Sequence, residues 1–363
     1  MEIKRLELVN FRNYRRETIE FSPKTNIIYG DNAQGKTNIL EAVYLAANGR
    51  SHRTKNDEQL IKFGENYAEL ILDFADRHRD YRVAIRLLSG GKKSVRINNV
   101  PINKLSILVN YFNAVIFSPE DLELIKGSPQ MRRRFMDAAI SALSPRYMSE
   151  LAAYHRALAQ KNCLLRAIRA GRGGAKDTVA VWNMQLADSG ARIMRERSMF
   201  LHGITAEAER IHQEIAGCGF RPVYSPSVDE QILQDNNPAD RFMQRLEELL
   251  PREIENGSSL CGIQRDDIRF FIDGNEAKIY ASQGQQRTVV LCMKLALTEY
   301  IKQKRDEYPV LLLDDIMSEL DEKHRTYLAA KIRDKQVLIT CTDRTAAEGA
   351  KYIYVHGGSA EEQ

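Results

Sequence analysis

Residues 30–37 read G-D-N-A-Q-G-K-T and meet every fixed position of G-x-x-x-x-G-K-[ST]. Just upstream, Asn26-Ile27-Ile28-Tyr29 is a short apolar run of the kind a buried strand needs. Downstream, Ile39, Leu40, Val43, Tyr44 and Ala47 recur at helical spacing. A strand, a glycine-rich turn and a helix start together make a phosphate cradle: inward backbone N–H groups and the positive end of a helix dipole. Gly30 and Gly35 allow the tight path, and Asp31, Asn32, Ala33 and Gln34 fill the loop between them. Lys36 is expected on the β- and γ-phosphates and Thr37 on Mg²⁺. The stretch predicts an α/β fold of the P-loop class, binding ATP with Mg²⁺.

Such a loop needs a carboxylate for its metal. Val310-Leu311-Leu312-Leu313 is apolar throughout, as a strand buried on both faces would be, and it ends in Asp314-Asp315. Ligands gather at the carboxyl ends of parallel strands. Asp314 is therefore expected to hold Mg²⁺ with Thr37. Asp315 is expected to polarise the attacking water, with Lys36 as its catalytic counterpart on the phosphates.

Around these two sites the chain changes texture twice. Residues 3–9, 16–21, 26–29, 68–74, 81–88, 93–97 and 115–117 read as strands. After Pro119 the pattern becomes helical, with restarts at Pro129 and Pro145, a break at Gly171-Arg172-Gly173-Gly174, and a long stretch over 177–216 that Gly190 and Gly203 are expected to interrupt. Residues 221–257, with Pro222, Pro226, Pro238 and Pro251, read as loop, short helix and loop. From Ser258 the α/β pattern returns: a strand over 268–272, a pairing strand over 276–280, a helix over 287–302 and strands over 310–313 and 337–340. The predicted organisation is an ATPase head from residues 1–118 and 258–363, with a helical, basic domain of residues 119–257 inserted.

Composition bounds the partners. No apolar run reaches the ~18 residues of a membrane span, and no secretory leader is read at the start. Five scattered cysteines without a C-x-x-C pair fit reduced thiols of a cytosolic protein better than a disulfide frame or a zinc site. Residues 126–200 hold 14 Lys+Arg against 5 Asp+Glu, in a chain whose net charge is only +4. That excess fits either a polyanion partner or a solvated, arginine-rich helical surface. Candidate DNA contacts are Arg132, Arg133, Arg134, Arg166, Arg169, Arg192 and Arg195, although Arg132 to Arg134 could instead pair with acids.

One further motif, Ser282-Gln283-Gly284-Gln285-Gln286, lies just before the helix expected from Arg287. Ser and Gly at a helix start offer a second anion site. One ATP cannot use both helix starts of one chain unless the core folds back on itself. Two chains meeting head to tail could share it.

In order, Asn10-Phe11-Arg12-Asn13-Tyr14, the loop at 30–37, the motif at 282–286, Asp314-Asp315 and Ser318-Glu319-Leu320-Asp321 resemble the ATP-binding-cassette-type, SMC-like heads of DNA-repair ATPases. The RecF family of bacterial recombination mediators is the nearest pattern. Further RecF-like stretches are Gly49-Arg50-Ser51-His52-Arg53-Thr54, Phe117-Ser118-Pro119-Glu120-Asp121-Leu122, Gly127-Ser128-Pro129 with Arg132-Arg133-Arg134-Phe135-Met136-Asp137, Arg265-Asp266-Asp267 and Thr340-Cys341-Thr342-Asp343. The resemblance covers nearly the whole chain.

It implies a weak DNA-dependent ATPase that dimerises on ATP and binds gapped or single-strand/double-strand junction DNA. With RecO and RecR as partners, such a protein assists RecA loading in repair and replication restart, in the cytoplasm at the nucleoid, with a link to the SOS response. By resemblance Ser282, Gly284 and Gln285 contact the partner chain's nucleotide, Ser318 to Asp321 line the dimer interface, and Arg12 and Asn13 lie near the phosphates. Gly262-Ile263-Gln264 stands where the family usually has G-P-H. Thr342 and Asp343 stand where a switch histidine often lies, and slow hydrolysis is expected. The alternative is an ATP-binding-cassette subunit docked on a membrane transporter, disfavoured by the missing L-S-G-G-Q form. Long coiled-coil arms are not expected from so short an insertion, nor is a fused nuclease from the fewer than 50 residues after Asp315.

Overall fold

The computed structural model describes residues 1–172, 176–344 and 349–363. Along the chain run β1 (Glu2–Phe11), β2 (Tyr14–Glu20), β3 (Thr25–Tyr29), α1 (Lys36–Asn48), β4 (Tyr67–Ala75), β5 (Asp80–Leu88), β6 (Ser94–Ile97), β7 (Val100–Ile102) and β8 (Ala114–Phe117). There follow α2 (Glu123–Lys126), α3 (Pro129–Ser141), α4 (Pro145–Arg169), α5 (Lys176–Ala216), β9 (Phe220–Ser225), α6 (Pro238–Asn256), β10 (Asp267–Ile272), β11 (Asn275–Glu276) and α7 (Ala277–Tyr280). The last are α8 (Gln283–Arg305), β12 (Val310–Asp314), α9 (Ile316–Glu319), α10 (Glu322–Ile332), β13 (Val337–Cys341), β14 (Lys351–His356) and β15 (Ser359–Glu362). Among the described residues no helix is long and apolar enough to cross a membrane.

Two compact units result: Met1–Asp121 with Leu291–Gln363, and Leu122–Val290. The first holds two six-stranded sheets, in the orders β2-β1-β4-β5-β6-β7 and β15-β14-β3-β13-β12-β8. The former is antiparallel. In β4 every second residue is buried, the mark of a sheet with one face in the core. The second sheet is parallel except for β15. Its strand β12 is buried at all five positions because β13 and β8 flank it and both faces are covered. Helix α1 joins the sheets through one core: Ile39, Leu40 and Val43 pack with Leu6, Leu8, Leu70 and Leu72 and with Ile28, Leu312, Leu338 and Val355.

The second unit is mostly helical and closes with the sheet β11-β10-β9. Its boundary differs from the expected return at Ser258, because β10 pairs along the whole of β9 and its Asp267 is bound by Arg132 of α3. Three local expectations are also corrected. Helix α5 is unbroken over 41 residues. A side chain at Gly190 would come 2.5 Å from Phe242 and 3.1 Å from Tyr154, so that glycine admits neighbouring helices closely and does not end the helix. The stretch read as loop, short helix and loop holds the 19-residue helix α6, longer than expected and with Pro251 inside it, and the edge strand β9, which tolerates Pro222 because an edge strand has one unpaired side. The strand expected over 276–280 is two residues of β11 followed by the turn of α7.

At the centre of this unit lies Arg197, 1 % exposed, bonded to Asp137, to Asp266 and to the Ile263 carbonyl oxygen. Tyr147 donates to Asp137, and Tyr224 donates to Asp266. The Arg-Asp-Asp stretch is therefore a scaffold that ties α3, α4, α5 and β9 together. Gln264 accepts from the Tyr154 hydroxyl at 2.8 Å, and Gly262 lies so close that a side chain there would meet the same hydroxyl at 2.3 Å.

Candidate nucleotide site

The loop at 30–37 connects β3 to α1. Its path needs positive φ at Gly30 (145°), Ala33 (63°) and Gly35 (119°). Gly30 has a second reason to lack a side chain: a Cβ there would lie 2.2 Å from the Val355 carbonyl oxygen of β14. Asp31, Asn32 and Ala33 form the exposed lip. Helix α1 opens on Lys36 with no acid in its first turn, which leaves its positive end uncompensated. Lys36 is 8 % exposed, and its ammonium donates to the carbonyls of Gly30 (2.6 Å) and Asp31 (2.7 Å), inside the loop.

Thr37 donates its hydroxyl to Asp314 Oδ1 at 2.8 Å, and Thr340 of β13 donates to the same oxygen at 2.8 Å. Burial raises the Asp314 pKa above the usual carboxylate value despite these two hydroxyls. A buried carboxylate beside a threonine hydroxyl is a hard-oxygen pair of the kind Mg²⁺ takes with substrate phosphates. Among the described residues no group of three acids, histidines or cysteines could hold a metal unaided. The residues therefore fit an ion completed by phosphate and water oxygens. Asp315, the next residue, has φ of 50°, and its N–H donates to Thr340 at 2.9 Å. Ser318 donates to the Asp315 carbonyl at 2.7 Å. Thr340 thus positions both acids, a role no sequence pattern had assigned it.

Asn13 braces the loop. Its amide donates to the Gln34 carbonyl (2.7 Å) and accepts from Asn38 (2.9 Å), and the Tyr14 hydroxyl donates to the Gly35 carbonyl at 3.1 Å. Arg12 reaches elsewhere. Its guanidinium grips Glu41 of α1 with two bonds of 2.8 Å and donates to the Gln59 carbonyl, so in this chain it orients the helix behind the loop. Glu41 is fully buried and also accepts from Ser51 at 2.5 Å; burial pushes its pKa up, but these donors and the nearby Arg53 hold it below the usual carboxylate value. Sequence reading missed Glu41 because a charge on the buried side of a helix has no signature without its partner.

Residues 282–285 are exposed. Helix α8 begins four residues earlier than the expected Arg287, which makes Ser282 its cap. The Gln285 N–H donates to Ser282 Oγ at 3.3 Å, and the Ser282 N–H donates to Gln285 Oε1 at 2.8 Å. This reciprocal capping box uses the acceptors of both side chains. The box does not use the hydroxyl proton of Ser282 or the amide protons of Gln285, and both residues are exposed. A side chain at Gly284 would meet nothing within 4 Å.

The arginines expected at DNA divide. Arg132 is corrected: it is 3 % exposed, and Asp267 holds its guanidinium at 2.6 and 2.9 Å. Arg133 donates to the Asp266 carbonyl, and Arg192 is paired with Asp188 and Glu150. Arg134, Arg166, Arg169 and Arg195 are exposed, as are Arg156 and Arg172, which sequence reading passed over.

Comparison with known proteins places the architecture. The RecF/RecN/SMC N terminal domain family matches residues 2–357. A DNA replication and repair protein RecF of Acetivibrio thermocellus is 43 % identical over 368 residues, covering 99 % of each chain. The chain belongs to the RecF family. A RecF of Clostridium tetani is 40 % identical over 348 residues, covering 94 % of this chain and 93 % of that one. A solved structure of the recombination mediator protein RecF-ATP in the RecFOR pathway superposes with a TM-score of 0.95 at 32 % identity, covering 100 % of this chain and 97 % of that one. An Smc head bound to the C-winged helix domain of ScpA, at 17 % identity and a TM-score of 0.56, covers 100 % of this chain and 98 % of that one and shares the head fold. Both RecF and Smc-head likenesses fit a P-loop, ATP-binding-cassette-type head, and no family of transporter subunits is among these relatives.

Proposed function

We propose that this RecF-family chain is an ATP-switched DNA clamp and recombination mediator. ATP is held with Mg²⁺ by Lys36, Thr37 and Asp314 of one copy, and its terminal phosphate is covered by Ser282, Gly284 and Gln285 of a second copy. The observation that carries this reading is the capping box at an exposed helix start: the Ser282 and Gln285 side-chain oxygens accept from the chain's own N–H groups, and the box does not use their donors, which suits an anion brought by a partner. Residues 318–321 would lie at the same dimer interface. The relatives are named for DNA replication and repair and for the RecFOR pathway, which supports RecO and RecR as partners; gapped or junction DNA as the target, assistance to RecA loading and a place at the nucleoid follow from the family resemblance alone.

When bound, Mg²⁺ neutralises phosphate charge and orients the γ-phosphate. Lys36 adds a second positive charge there. Asp315 accepts the proton of the attacking water from the strand end, and Thr340 fixes both neighbouring acids. With a threonine where a switch histidine often lies, turnover is slow and serves to reopen the dimer. Closure brings Arg134, Arg166, Arg169 and Arg195 of two copies to one duplex, so DNA affinity depends on ATP.

Sedimentation of the purified chain with and without ATP, each with and without a gapped duplex, tests the reading. The expected result is a dimer with ATP and DNA retention that falls steeply between low and high salt. Saturation with ATP at unchanged mass and unchanged DNA retention would overturn it.

A further inference from the structure

Just ahead of the capping box, the chain sets two bulky side chains in water. Ile279 is 66 % exposed and Tyr280 71 %, and among the described residues they are the only exposed large hydrophobic side chains adjacent in sequence. Single exposed apolar residues are ordinary on a protein surface, whereas neighbouring ones mark a contact. The turn α7 sorts its residues against the usual rule of a core. Its buried position holds the small Ala277, 1 % exposed, and the large Ile279 and Tyr280 are left outside.

The turn is held at both ends. Before it, Glu276 pairs with Phe271 of β10 and accepts from Arg269 at 2.9 Å. After it, the Ala281 N–H donates to the Ala277 carbonyl at 3.1 Å, and the Ala281 carbonyl accepts from the Gln286 side-chain amide at 3.0 Å. Gln286 is 7 % exposed, so that last bond ties the turn to a buried residue of α8. Ile279 and Tyr280 are therefore presented on fixed backbone, which lowers the ordering cost of a contact.

Their distance from Ser282 decides what covers them. Tyr280 and Ser282 are two residues apart, so their Cα atoms lie within about 7 Å of each other. Apart from half-buried Ala281, every residue from 278 to 285 is exposed. A surface that carries a phosphate to the Ser282 hydroxyl must then also come up to Tyr280 and Ile279. In the reading above, that surface is a second copy of this chain.

We propose that Ile279 and Tyr280 are an apolar anchor through which each copy grips the other when nucleotide closes the dimer. This rests on the dimer reading above and adds to it a contact that touches no nucleotide. The capping box answers phosphate charge, and the pair supplies apolar area around a tyrosine, a residue enriched where binding energy concentrates.

The test is sedimentation of the full chain with ATP over a range of protein concentrations, for the wild type, Ile279→Ala, Tyr280→Ala, the double variant and Tyr280→Phe. Equilibrium binding of ATP to each is measured alongside. Both side chains are exposed, so their removal leaves the core intact and the melting temperature unchanged. Expected is a dimer dissociation constant about tenfold higher in each single alanine variant and up to about a hundredfold higher in the double variant. Tyr280→Phe should stay near the wild type, ATP affinity of the monomer should not change, and raised protein concentration should restore every dimer. An unchanged dissociation constant in the double variant overturns the anchor; if retention of a gapped duplex falls at the same time, the pair faces DNA instead. A dimer that no protein concentration restores also overturns it, since the capping box and not an apolar contact has then been damaged. A wild-type chain that binds ATP and stays monomeric at every concentration refutes the dimer reading itself.

Discussion

Lys36 and Asp315 are held differently, and on the proposed reading their substitutions separate binding from hydrolysis. The Lys36 ammonium lies within the loop on two carbonyls, so Lys36→Ala removes the buried cation and leaves the strand and helix. Gel filtration with ATP should show no dimer, and a Lys36→Ala protein that still dimerises contradicts its role. Asp315 sits at φ of 50°, a conformation asparagine also tolerates. Asp315→Asn therefore keeps the turn, removes the proton acceptor, and should leave a dimer that persists in ATP; a monomer counts against it. A third residue carries a pH signature. His52 packs edge-on against Tyr44 at 5.1 Å, neither of its buried ring nitrogens meets a hydrogen-bond partner, and burial lowers its pKa to about 4. The unfolded chain takes up this proton near pH 6.5 and the folded chain only near pH 4, so its contribution is complete above about 6.5 and lost on the way down to about 4. The loss is roughly 3 kcal/mol. Urea denaturation at pH 7.5 and 4.5 should show a smaller pH difference for His52→Leu than for the wild type; equal differences would contradict the assignment.

Helix α8 allows capping and anion contact to be told apart. Aspartate caps a helix about as well as serine but has no donor and adds negative charge, whereas alanine loses the cap at a cost of about 1 kcal/mol. Ser282→Asp should therefore keep the melting temperature and abolish the ATP-induced dimer, and Ser282→Ala should lower the melting temperature slightly and weaken dimerisation. A Ser282→Asp chain that dimerises normally would show that the hydroxyl serves the helix alone. This start also marks the limit of sequence reading. Hydrophobic spacing located α8 but placed its beginning four residues late, because Gln283, Gly284, Gln285 and Gln286 carry no apolar period. Strand β12 and the loop at 30–37 were legible because local pattern determines them, and the pairing of Thr37 with Asp314, 277 positions away, was legible because each ends a recognisable motif. Thr340 and Glu41 were not, since neither belongs to a motif whose chemistry names its partner. For Arg132 the sequence left open a DNA contact or an ion pair, and only the fold shows Asp267, 135 positions away, holding it. Gly190 and Pro251 were read as breaks because local propensity favours that, and tertiary packing overrode it.

At the scale of the molecule, the proposed two half-sites per copy would let a defect in one be complemented by a copy defective in the other. Lys36→Ala destroys the loop half and keeps Ser282; Ser282→Asp keeps the loop and destroys the covering half. Neither variant alone should dimerise with ATP. Mixed, the pair forms one composite site in which an intact Lys36 faces an intact Ser282, while the second site lacks both. Equimolar mixing should thus restore a heterodimer that binds one nucleotide tightly, readable by sedimentation with labelled ATP. If both groups acted on the same nucleotide within one chain, mixing would restore nothing. DNA then reports whether closure matters. On the proposed reading, exposed Arg134, Arg166, Arg169 and Arg195 meet phosphate as a set only when two copies come together, and the salt dependence of binding counts the phosphates neutralised. The heterodimer should retain gapped duplex with a steeper salt dependence than either variant alone. Identical slopes for monomer and heterodimer would mean that one chain already makes every contact, and ATP closure would then have no bearing on the grip.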